Sequence, residues 1–428
     1  MIRFRLAVTA ALSLVFLVTT PAQRVGPPAS DADILATARD IHQRIITIDT
    51  HDDISGNFAT EKDDPGSPEA RRQVTLPKMK QGGLNVAFFI VYVGQGDRTP
   101  EGYESAYTQA ISKFEAIHRM AETMYPDQIE LACSPDDILR IRKSGKLVAC
   151  IGIENGWPIG KDLGKLQELY NRGGRYITLS HNRHNDICDS ANPGEDEPAV
   201  EHNGVSEFGK LVIAEMNRLG IMVDVSHISK KSALDAIKLS KAPVIASHSG
   251  IRTMNDNPRN LDDENLLALK ANGGVVQCVG LGEFVKSVPV PPERQEAIRA
   301  MRKDFGLPEG RGGRRAMQSL SPEQIGKIRE RVREIDVEHP LPPVTVKDFV
   351  DHIDYAVKLI GVDHVGISSD FDGGGGVTGW NDASETMNVT IELVRRGYAE
   401  EEIAKLWGGN LLRVWRSVES VAKKSGKQ

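Results

Sequence analysis

Eight short apolar runs, each bounded by turn residues, constrain the fold of this chain more than any other feature. They are rich in β-branched and aliphatic residues and alternate with segments of helical periodicity, which predicts strands separated by helices. Strands that alternate with helices form a parallel sheet, and eight such units predict a closed TIM-type (β/α)8 barrel. The predicted strands cover residues 44–50, 84–93, 147–153, 176–180, 221–226, 243–247, 274–279 and 364–369.

Helix-like segments fill most of the intervals between these strands. Ser206, Ser229 and Thr345 precede three of them and are N-cap candidates, because a hydroxyl oxygen at that position can accept a backbone N–H. The strands themselves are nearly continuous apolar runs, as expected when both faces of a parallel sheet are buried. The predicted helices cover residues 104–124, 162–172, 205–219, 230–239, 263–271 and 346–360.

Two stretches interrupt this alternation. Residues 55–75 are polar and rich in Gly and Pro, which predicts a loop after the first strand. Residues 283–343 have proline clusters at both ends and two charged helical segments, 292–303 and 322–333. Both stretches follow a strand, so they should emerge at the carboxyl end of the barrel, where TIM-barrel active sites lie. The second, an insertion after the seventh strand, is either a lid or oligomer contact, or a neutral surface insertion.

The amino terminus has the composition of a secretion signal. Two arginines lie in the first five residues, an apolar stretch covers 6–20, and small residues suited to cleavage follow, which predicts a signal peptide over residues 1–22. The stretch is shorter than the roughly 20 residues of a spanning helix, so we expect no stable membrane span after cleavage. An uncleaved anchor is the alternative. Residues 23–428 are predicted to form one barrel domain in a secreted or periplasmic protein.

Composition excludes several classes of protein. A net charge of −6 with 26% charged residues, and no basic block, argues against a nucleic-acid partner. The glycine run 373–376 lacks the spacing of a phosphate-binding loop. Four cysteines are too few for a disulfide scaffold, although an oxidising compartment permits one or two bridges of open pairing. Cys150 and Cys278 lie in apolar runs and are interpreted as core residues; the other two are Cys133 and Cys188.

Polar residues of a particular kind stand at the ends of several predicted strands. Imidazoles and carboxylates bind divalent metal ions, and the ends of barrel strands meet at one face of the molecule. The pattern therefore predicts a metal site of the kind that metal-dependent barrel hydrolases use. The residues are His51, Asp53, Glu154, His227, His248 and Asp370.

Local spacing supports shared ligation of an ion by pairs of these residues. His51 and Asp53 are two apart in an extended segment and point to the same side, whereas Asp52 points away and is interpreted as structural. His227 and His248 each end an apolar-x-Ser-His pattern on consecutive strands, which lie about 4.8 Å apart. Asp224, one strand period earlier, could orient one of the imidazoles.

The remaining strand-end residues suit catalytic roles. Glu154 follows a buried strand, and its two oxygens could bridge two cations; the alternative is a salt bridge to an arginine. Asp370, on the last strand, suits a general base that later protonates the leaving amine. His181 is available to stabilise an oxyanion, with His184 as a competitor for this role and His202 as a weaker one.

These positions lie in longer blocks that resemble the membrane dipeptidase (renal dipeptidase) family of zinc peptidases. The resemblance runs from about Ile45 to Trp415 and is broken by residues 283–343. The blocks are DTHDD at 49–53, LPKMKQGG at 76–83, GIE at 152–154, RYITLSH at 175–181, DVSH at 224–227, APVIASHS at 242–249, PRN at 258–260 and GVDHVGISSDFDG at 361–373.

The resemblance implies two Zn²⁺ ions per chain and a role for each site residue. A hydroxide bridging the ions would attack the peptide carbonyl of a dipeptide substrate. Asp370 would take its proton, His181 would hold the oxyanion and Arg259 would bind the C-terminal carboxylate. The sequence does not determine the oligomeric state, and a homodimer stays open. One ion would be bound by His51, Asp53 and Glu154, and the other by Glu154, His227 and His248.

This chain departs from the family pattern at three positions, and other functions remain open. Asn155 stands where Gly is usual, Gly174 where an aliphatic residue is common, and Asp52 where Asn is common. One alternative is a metal-dependent hydrolase of the same fold that acts on N-acyl amino acids, lactones or phosphotriesters. Another is a metal-free binding protein on a decayed enzyme fold. Arg259 favours a substrate with a free carboxylate.

Overall fold

The computed structural model describes residues 30–308 and 320–425. The predicted signal peptide, residues 1–22, lies outside the described residues, as do residues 309–319 within the predicted insertion.

Parallel strands form a barrel in which every neighbouring pair runs in the same direction. Eight strands follow one another in the order β1-β2-β4-β5-β6-β7-β8-β9, and Asp52 of the first strand bridges to Phe371 just after the last. The predicted TIM-type barrel of eight strands is therefore confirmed. The strands are β1 (Ile48–Asp53), β2 (Val86–Tyr92), β3 (Ile129–Leu131), β4 (Leu147–Glu154), β5 (Gly174–Thr178), β6 (Met222–Asp224), β7 (Ile245–Ser249), β8 (Val275–Val279) and β9 (Val365–Ser368).

Helices occupy the intervals between the strands, as the periodicity predicts. They are α1 (Asp31–Arg44), α2 (Leu76–Gly82), α3 (Pro100–His118), α4 (Pro135–Lys143), α5 (Gly164–Asn171), α6 (Glu207–Leu219), α7 (Lys230–Leu239), α8 (Asp263–Asn272), α9 (Gly282–Val285), α10 (Pro292–Asp304), α11 (Pro322–Glu338), α12 (Val346–Ile360), α13 (Met387–Arg395), α14 (Glu400–Ala404) and α15 (Asn410–Ser425).

Capping explains where three of these helices begin. The side chains of Ser206, Ser229 and Thr345 each accept a backbone N–H from the first turn of α6, α7 and α12, so the three predicted N-caps are confirmed. Helix α3 begins four residues before the predicted boundary, because Thr99 caps it and Pro100 fits its first turn.

The short strand β3 was absent from the prediction. It has three residues, of which only Ile129 is fully buried, so it carries no periodic signal. It pairs with β4 outside the barrel path and does not alter the barrel.

Two apolar layers stabilise the barrel, one inside it and one between strands and helices. The inner cluster includes Phe88 and Tyr176, whose ring centroids are 5.6 Å apart, and Trp415 of α15, 5.9 Å from Phe88. Cys150 lies in the inner cluster and Cys278 in the outer one, both fully buried. All four cysteines fall within the described residues, and each is a free thiol.

The described part of the predicted insertion is a pair of helices, α10 and α11, which covers the two charged segments predicted as helical. They pack together around Met301, Ile328 and Ile335. An ion pair of 2.6 Å between Arg294 and Asp336 joins them at one end. The insertion follows β8, which is the seventh strand of the barrel path.

Candidate active site

The predicted site residues lie at the carboxyl ends of the barrel strands. His51 and Asp53 belong to β1, Glu154 is the last residue of β4, and His248 belongs to β7. His227 follows β6 closely. Because these strands are parallel neighbours of a closed barrel, their ends meet at one face and the five side chains converge.

Imidazole nitrogens of three of these residues surround one carboxylate oxygen of Glu154. Oε1 of Glu154 lies 2.9 Å from Nε2 of His227, 3.4 Å from Nε2 of His248 and 3.6 Å from Nε2 of His51. Nε2 of His51 is also 3.6 Å from Oδ2 of Asp53. The two Nε2 atoms of His227 and His248 are 2.8 Å apart.

Three of these separations, at 3.4–3.6 Å, are close to those in the ligand shell of a metal ion, and the two that involve His227, at 2.8 Å and 2.9 Å, are shorter. Zinc–ligand bonds of about 2.0–2.1 Å in a tetrahedron place neighbouring ligand atoms about 3.3–3.4 Å apart. Nε2 of His51 is buried and makes no hydrogen bond among the described residues, which is costly for a nitrogen that is not a ligand. The donor set of imidazole nitrogens and carboxylate oxygens is also one that zinc accepts.

His181 lies inside the same cluster. Its Nε2 is 3.4 Å from Oε1 of Glu154, as close as Nε2 of His248, and its ring centroid is 4.0 Å from that of His227. Proximity therefore does not separate His181 from the ligands, and its role as oxyanion donor rests on the family resemblance.

The competing histidines are engaged elsewhere. Nε2 of His184 hydrogen-bonds to the carbonyl of Pro198 at 2.9 Å, and its Nδ1 accepts the N–H of Ser190. Nε2 of His202 lies 2.8 Å from the carbonyl oxygen of Asn185. Both rings hold the loop after β5 together.

Electrostatics favour a charged carboxylate at the centre of the cluster. Burial alone would raise the pKa of Glu154, but the neighbouring His181 and His51 lower it well below its usual value. Burial opposes a charge on His51, yet Glu154 and Asp53 raise the pKa of this imidazole well above normal. Without a cation, His51 takes up the positive charge that the carboxylates require.

The other two imidazoles are held neutral. Burial, followed by the charge of Arg259, lowers the pKa of His227. Burial, His51 and Arg259 have the same effect on His248. Neutral imidazole is the form that binds metal.

Asp370 stands beside the cluster. Its Oδ1 is 3.9 Å from Nε2 of His51, and its φ of 61° places it in the left-handed region, two residues after the end of β9. Burial raises the pKa of this carboxyl well above its usual value, with Asp53 and Glu154 adding to the effect against His51. A carboxyl with a raised pKa can both accept and return a proton.

Arg259 was not indicated by the strand-end pattern, because it lies in the loop after β7. Its side chain is almost fully buried; Nη1 donates to Oγ of Ser249 at 2.8 Å and Nη2 to the carbonyl of His248 at 2.6 Å. Its buried Nε has no hydrogen-bond partner among the described residues. Burial lowers its pKa to about 10, which leaves the guanidinium charged at neutral pH.

The backbone at Asn155 suits the glycine that the family resemblance predicts after Glu154. Its φ is 76°, a left-handed conformation that glycine adopts freely and asparagine tolerates. Its Nδ2 donates to the carbonyl of Val93 at 3.1 Å, and its Oδ1 accepts the N–H of Trp157 at 3.2 Å. The side chain therefore joins the loops after β2 and β4.

Gly174 and Asp52, the other two departures, are also accommodated. A Cβ at Gly174 would lie 2.7 Å from Cδ1 of Ile153, so Ile153 occupies the space of the missing side chain. Asp52 is fully buried, and its Oδ1 accepts the hydroxyl of Ser369 at 3.4 Å.

A parallel eight-stranded barrel with imidazoles and carboxylates at its carboxyl face defines the class of metal-dependent TIM-barrel hydrolases. The family model for membrane dipeptidase (peptidase family M19) matches residues 35–428, so the chain belongs to this family. It is accordingly a metallopeptidase of the dipeptidase type, and the family is metal-dependent.

Two relatives and one solved structure support this assignment. Dipeptidase verJ of Clonostachys rogersoniana is 31% identical over 405 residues, which are 92% of this chain and 89% of that protein. Dipeptidase tcpJ of Claviceps purpurea is 31% identical over 354 residues, 82% of this chain and 70% of that one. The crystal structure of the probable dipeptidase PvdM from Pseudomonas aeruginosa has 34% identity and a TM-score of 0.78, covering 91% of this chain and 100% of that one.

Proposed function

We propose that this chain is an exported dinuclear zinc dipeptidase that hydrolyses L,L-dipeptides and also accepts a D-residue at the C-terminal position. The observation that carries the zinc centre is the convergence of three imidazoles on one oxygen of Glu154, with the carboxylate of Asp53 beside one of them. The acceptance of a D-residue rests on the family resemblance. The five proposed ligands are His51, Asp53, Glu154, His227 and His248.

In this proposal Glu154 is shared between two ions. His51 and Asp53 would hold one with it, and His227 and His248 the other. When bound, the ions supply Lewis acidity, which polarises a carbonyl and lowers the pKa of water.

Asp370 and His181 would move the proton and hold the developing charge. Asp370 accepts a proton from the attacking water and returns it to the nitrogen of the leaving amine, as its raised pKa permits. His181 donates from Nε2 to the carbonyl oxygen as negative charge develops there. Both side chains lie within 4 Å of a proposed ligand atom, at 3.9 Å and 3.4 Å.

Arg259 would select substrates with a free C-terminal carboxylate. A guanidinium pairs with a carboxylate through parallel N–H donors, and the buried Nε of Arg259 supplies one N–H that has no partner among the described residues. Replacement by lysine removes the paired donors and should raise KM for dipeptides about 10- to 100-fold.

The test is a panel of L,L-, L,D- and D,L-dipeptides, C-terminally amidated dipeptides, N-acyl amino acids and lactones. Each is assayed with zinc and after treatment with a chelator. We expect zinc-dependent release of amino acids from the first two classes and no turnover of C-terminally amidated dipeptides. Hydrolysis of N-acyl amino acids or lactones while every dipeptide is inert would replace this proposal with the alternative amidohydrolase.

Export is proposed from the composition of residues 1–22. None of the helices within residues 30–308 and 320–425 is both long and apolar enough to cross a bilayer. The test is the amino-terminal sequence of the protein recovered from the exported fraction. A mature terminus near residue 23 supports the proposal, and an intact Met1 in the cytosolic fraction contradicts it.

A further inference from the structure

Two of the proposed ligands, His51 and His248, each form a hydrogen bond between Nδ1, the ring nitrogen that faces away from Glu154, and a buried hydroxyl group. Nδ1 of His51 is 3.0 Å from the hydroxyl oxygen of Tyr176. Nδ1 of His248 is 2.8 Å from Oγ of Ser247. A hydroxyl has one proton and can either donate it or accept at its oxygen, so the remaining contacts of each hydroxyl determine the direction of these bonds.

The hydroxyl of Tyr176 uses its one proton in a hydrogen bond to a backbone carbonyl. It donates to the oxygen of Thr50 at 2.9 Å, and a carbonyl can only accept. The contact with His51 must therefore run from Nδ1–H to the phenol oxygen. In the neutral ring, which is the form that binds metal, Nε2 then carries no proton and faces Glu154.

The hydroxyl of Ser247 likewise uses its one proton in a hydrogen bond to the carboxylate of Asp224. It donates to Oδ2 of Asp224 at 2.6 Å, and the hydroxyl of Thr178 donates to the same oxygen. Oδ1 accepts the N–H groups of Ser226 at 3.0 Å and Ser247 at 2.8 Å. Four donors fill the four acceptor positions of the carboxylate, so it carries no proton of its own. His248 must donate from Nδ1–H.

We infer that Tyr176, and Ser247 together with Asp224, are positioning residues that fix the Nδ1–H tautomer of His51 and His248 and so present Nε2 of each ring to the metal centre. This inference rests on the proposed zinc site. It also changes the role expected for Asp224. The sequence suggested that Asp224 orients an imidazole, whereas in the structure it acts on His248 through the hydroxyl of Ser247.

The barrel is built to admit the Tyr176 ring. Gly152 on β4 lies opposite Tyr176 on β5, and a Cβ at Gly152 would fall 2.2 Å from Cζ of that ring. Only glycine allows the ring to cross the barrel interior and reach the end of β1. By contrast, the buried Nδ1 of His227 has no hydrogen-bond partner among the described residues.

Zinc affinity tests this inference without reference to turnover. Zinc-loaded protein is titrated with a chromophoric chelator, and the two ions are expected to be lost separately. Tyr176→Phe should lower the affinity of the protein for one zinc ion, and Ser247→Ala its affinity for the other, each by about 10- to 100-fold. In each variant the affinity for the second ion should stay unchanged. Ser247→Thr retains the hydroxyl and should restore binding. Tyr398→Phe removes a half-buried phenol hydroxyl and Ser232→Ala a buried serine hydroxyl, both away from the site, and these variants serve as controls.

A spectroscopic measurement reads the tautomers directly. In zinc-loaded protein with ¹⁵N-labelled histidine, His51 and His248 should each show a protonated Nδ1 and a proton-free Nε2. Tyr176→Phe should shift the Nδ1–H resonance of His51 alone, and Gly152→Ala should shift the same resonance.

The outcomes separate this inference from the proposed function. Wild-type protein that binds no zinc contradicts the proposed function and this inference with it. Wild-type protein that binds two zinc ions, with Tyr176→Phe and Ser247→Ala binding them equally well, contradicts this inference alone. A protonated Nε2 on either histidine in the zinc-loaded protein does the same.

Discussion

Three residues next to the cluster adopt a left-handed backbone, which most L-residues avoid. Asn155, His227 and Asp370 have φ values of 76°, 67° and 61°. Each lies within three residues of the end of a barrel strand. Such conformations cost about 1–3 kcal/mol each and persist where the surrounding structure determines them. The strand-end pattern indicated His227 and Asp370, but no local rule predicts their φ. Arg259 was predicted only from the family resemblance, because its loop has no periodicity.

Replacing Asp370 by Asn tests its role as acid and base. The amide cannot accept the proton, so kcat should fall about 10²- to 10⁴-fold. Both zinc ions should remain, because Asp370 is not among the proposed ligands. Steady-state kinetics and elemental analysis of the same sample measure the two effects, and Asp363→Asn, at a surface ion pair with Lys405, is the control. Loss of one zinc ion would show that Asp370 is a ligand, as its proximity to His51 and Asp53 allows.

At the scale of elements, an ion pair and several hydrogen bonds join the turn that contains Asp370 to the loop after β1. The carboxylate of Asp372 pairs with Arg72 at 2.9 Å and accepts the N–H groups of Gln73 and Val74. Gln73 accepts the N–H of Asp372 at 2.7 Å and donates to the carbonyl of Gly375 at 2.8 Å. The sequence predicted a loop and a turn here, but not their contact, because about 300 residues separate them.

Replacing Gln73 by Ala should loosen the turn without removing a ligand or a catalytic group. A displacement of Asp370 by about 1 Å can lower kcat up to about 100-fold, whereas KM and zinc content should change little. Steady-state kinetics and a zinc assay compare the change in kcat with the changes in KM and zinc content. The matched control is Gln128→Ala, which removes a hydrogen bond to Lys80 at an exposed site. A lower melting temperature with unchanged kcat would mean that Gln73 only stabilises the fold.

Helix α12 carries a buried histidine that makes stability depend on pH. Nε2 of His352 lies 2.8 Å from the carbonyl of Val285, which can only accept, so Nδ1 must accept the N–H of Ile251 at 3.1 Å. Protonation would break that bond, and burial lowers the pKa of His352 despite the opposing effect of Val285 and nearby aspartates. The unfolded chain then binds the proton more readily than the folded one.

The free energy of unfolding should therefore fall as the pH drops below about 6.5, by at most roughly 1.4 kcal/mol per pH unit for this group. Urea unfolding at pH 7.5 and 5.5 measures the effect. His352→Gln should be less stable at pH 7.5 but should lose less stability on acidification than wild type. Equal losses in the two proteins would contradict the assignment, since contributions from the metal site are common to both.

At the scale of the whole molecule, the sequence predicted the barrel because apolar runs, turns and caps are local signals. Eight strands and the helix starts at Ser206, Ser229 and Thr345 follow from them. The hydroxyl contacts of the site are not local. Tyr176 has the pattern of an ordinary strand residue, and only barrel closure brings it to His51, 125 residues away in sequence.

The helix pair α10–α11 has a small apolar core of its own, formed by Met301, Ile328 and Ile335. Replacing residues 291–341 with a Gly/Ser linker should leave the barrel folded, with two zinc ions and a melting temperature within a few degrees of wild type. Calorimetry and elemental analysis measure this. Changed dipeptide kinetics in the folded variant would identify the insertion as a lid, a change of mass in solution would identify an oligomer contact, and loss of folding would contradict the expectation.

Anomalous X-ray diffraction at the zinc edge, from crystals of the zinc-loaded protein, tests the central claim most directly. Two zinc peaks should lie about 3.5–4 Å apart at the carboxyl face of the barrel. Glu154 should contact both, Nε2 of His51 one of them and Nε2 of His248 the other. A single peak, or peaks away from Glu154, would contradict the dinuclear site.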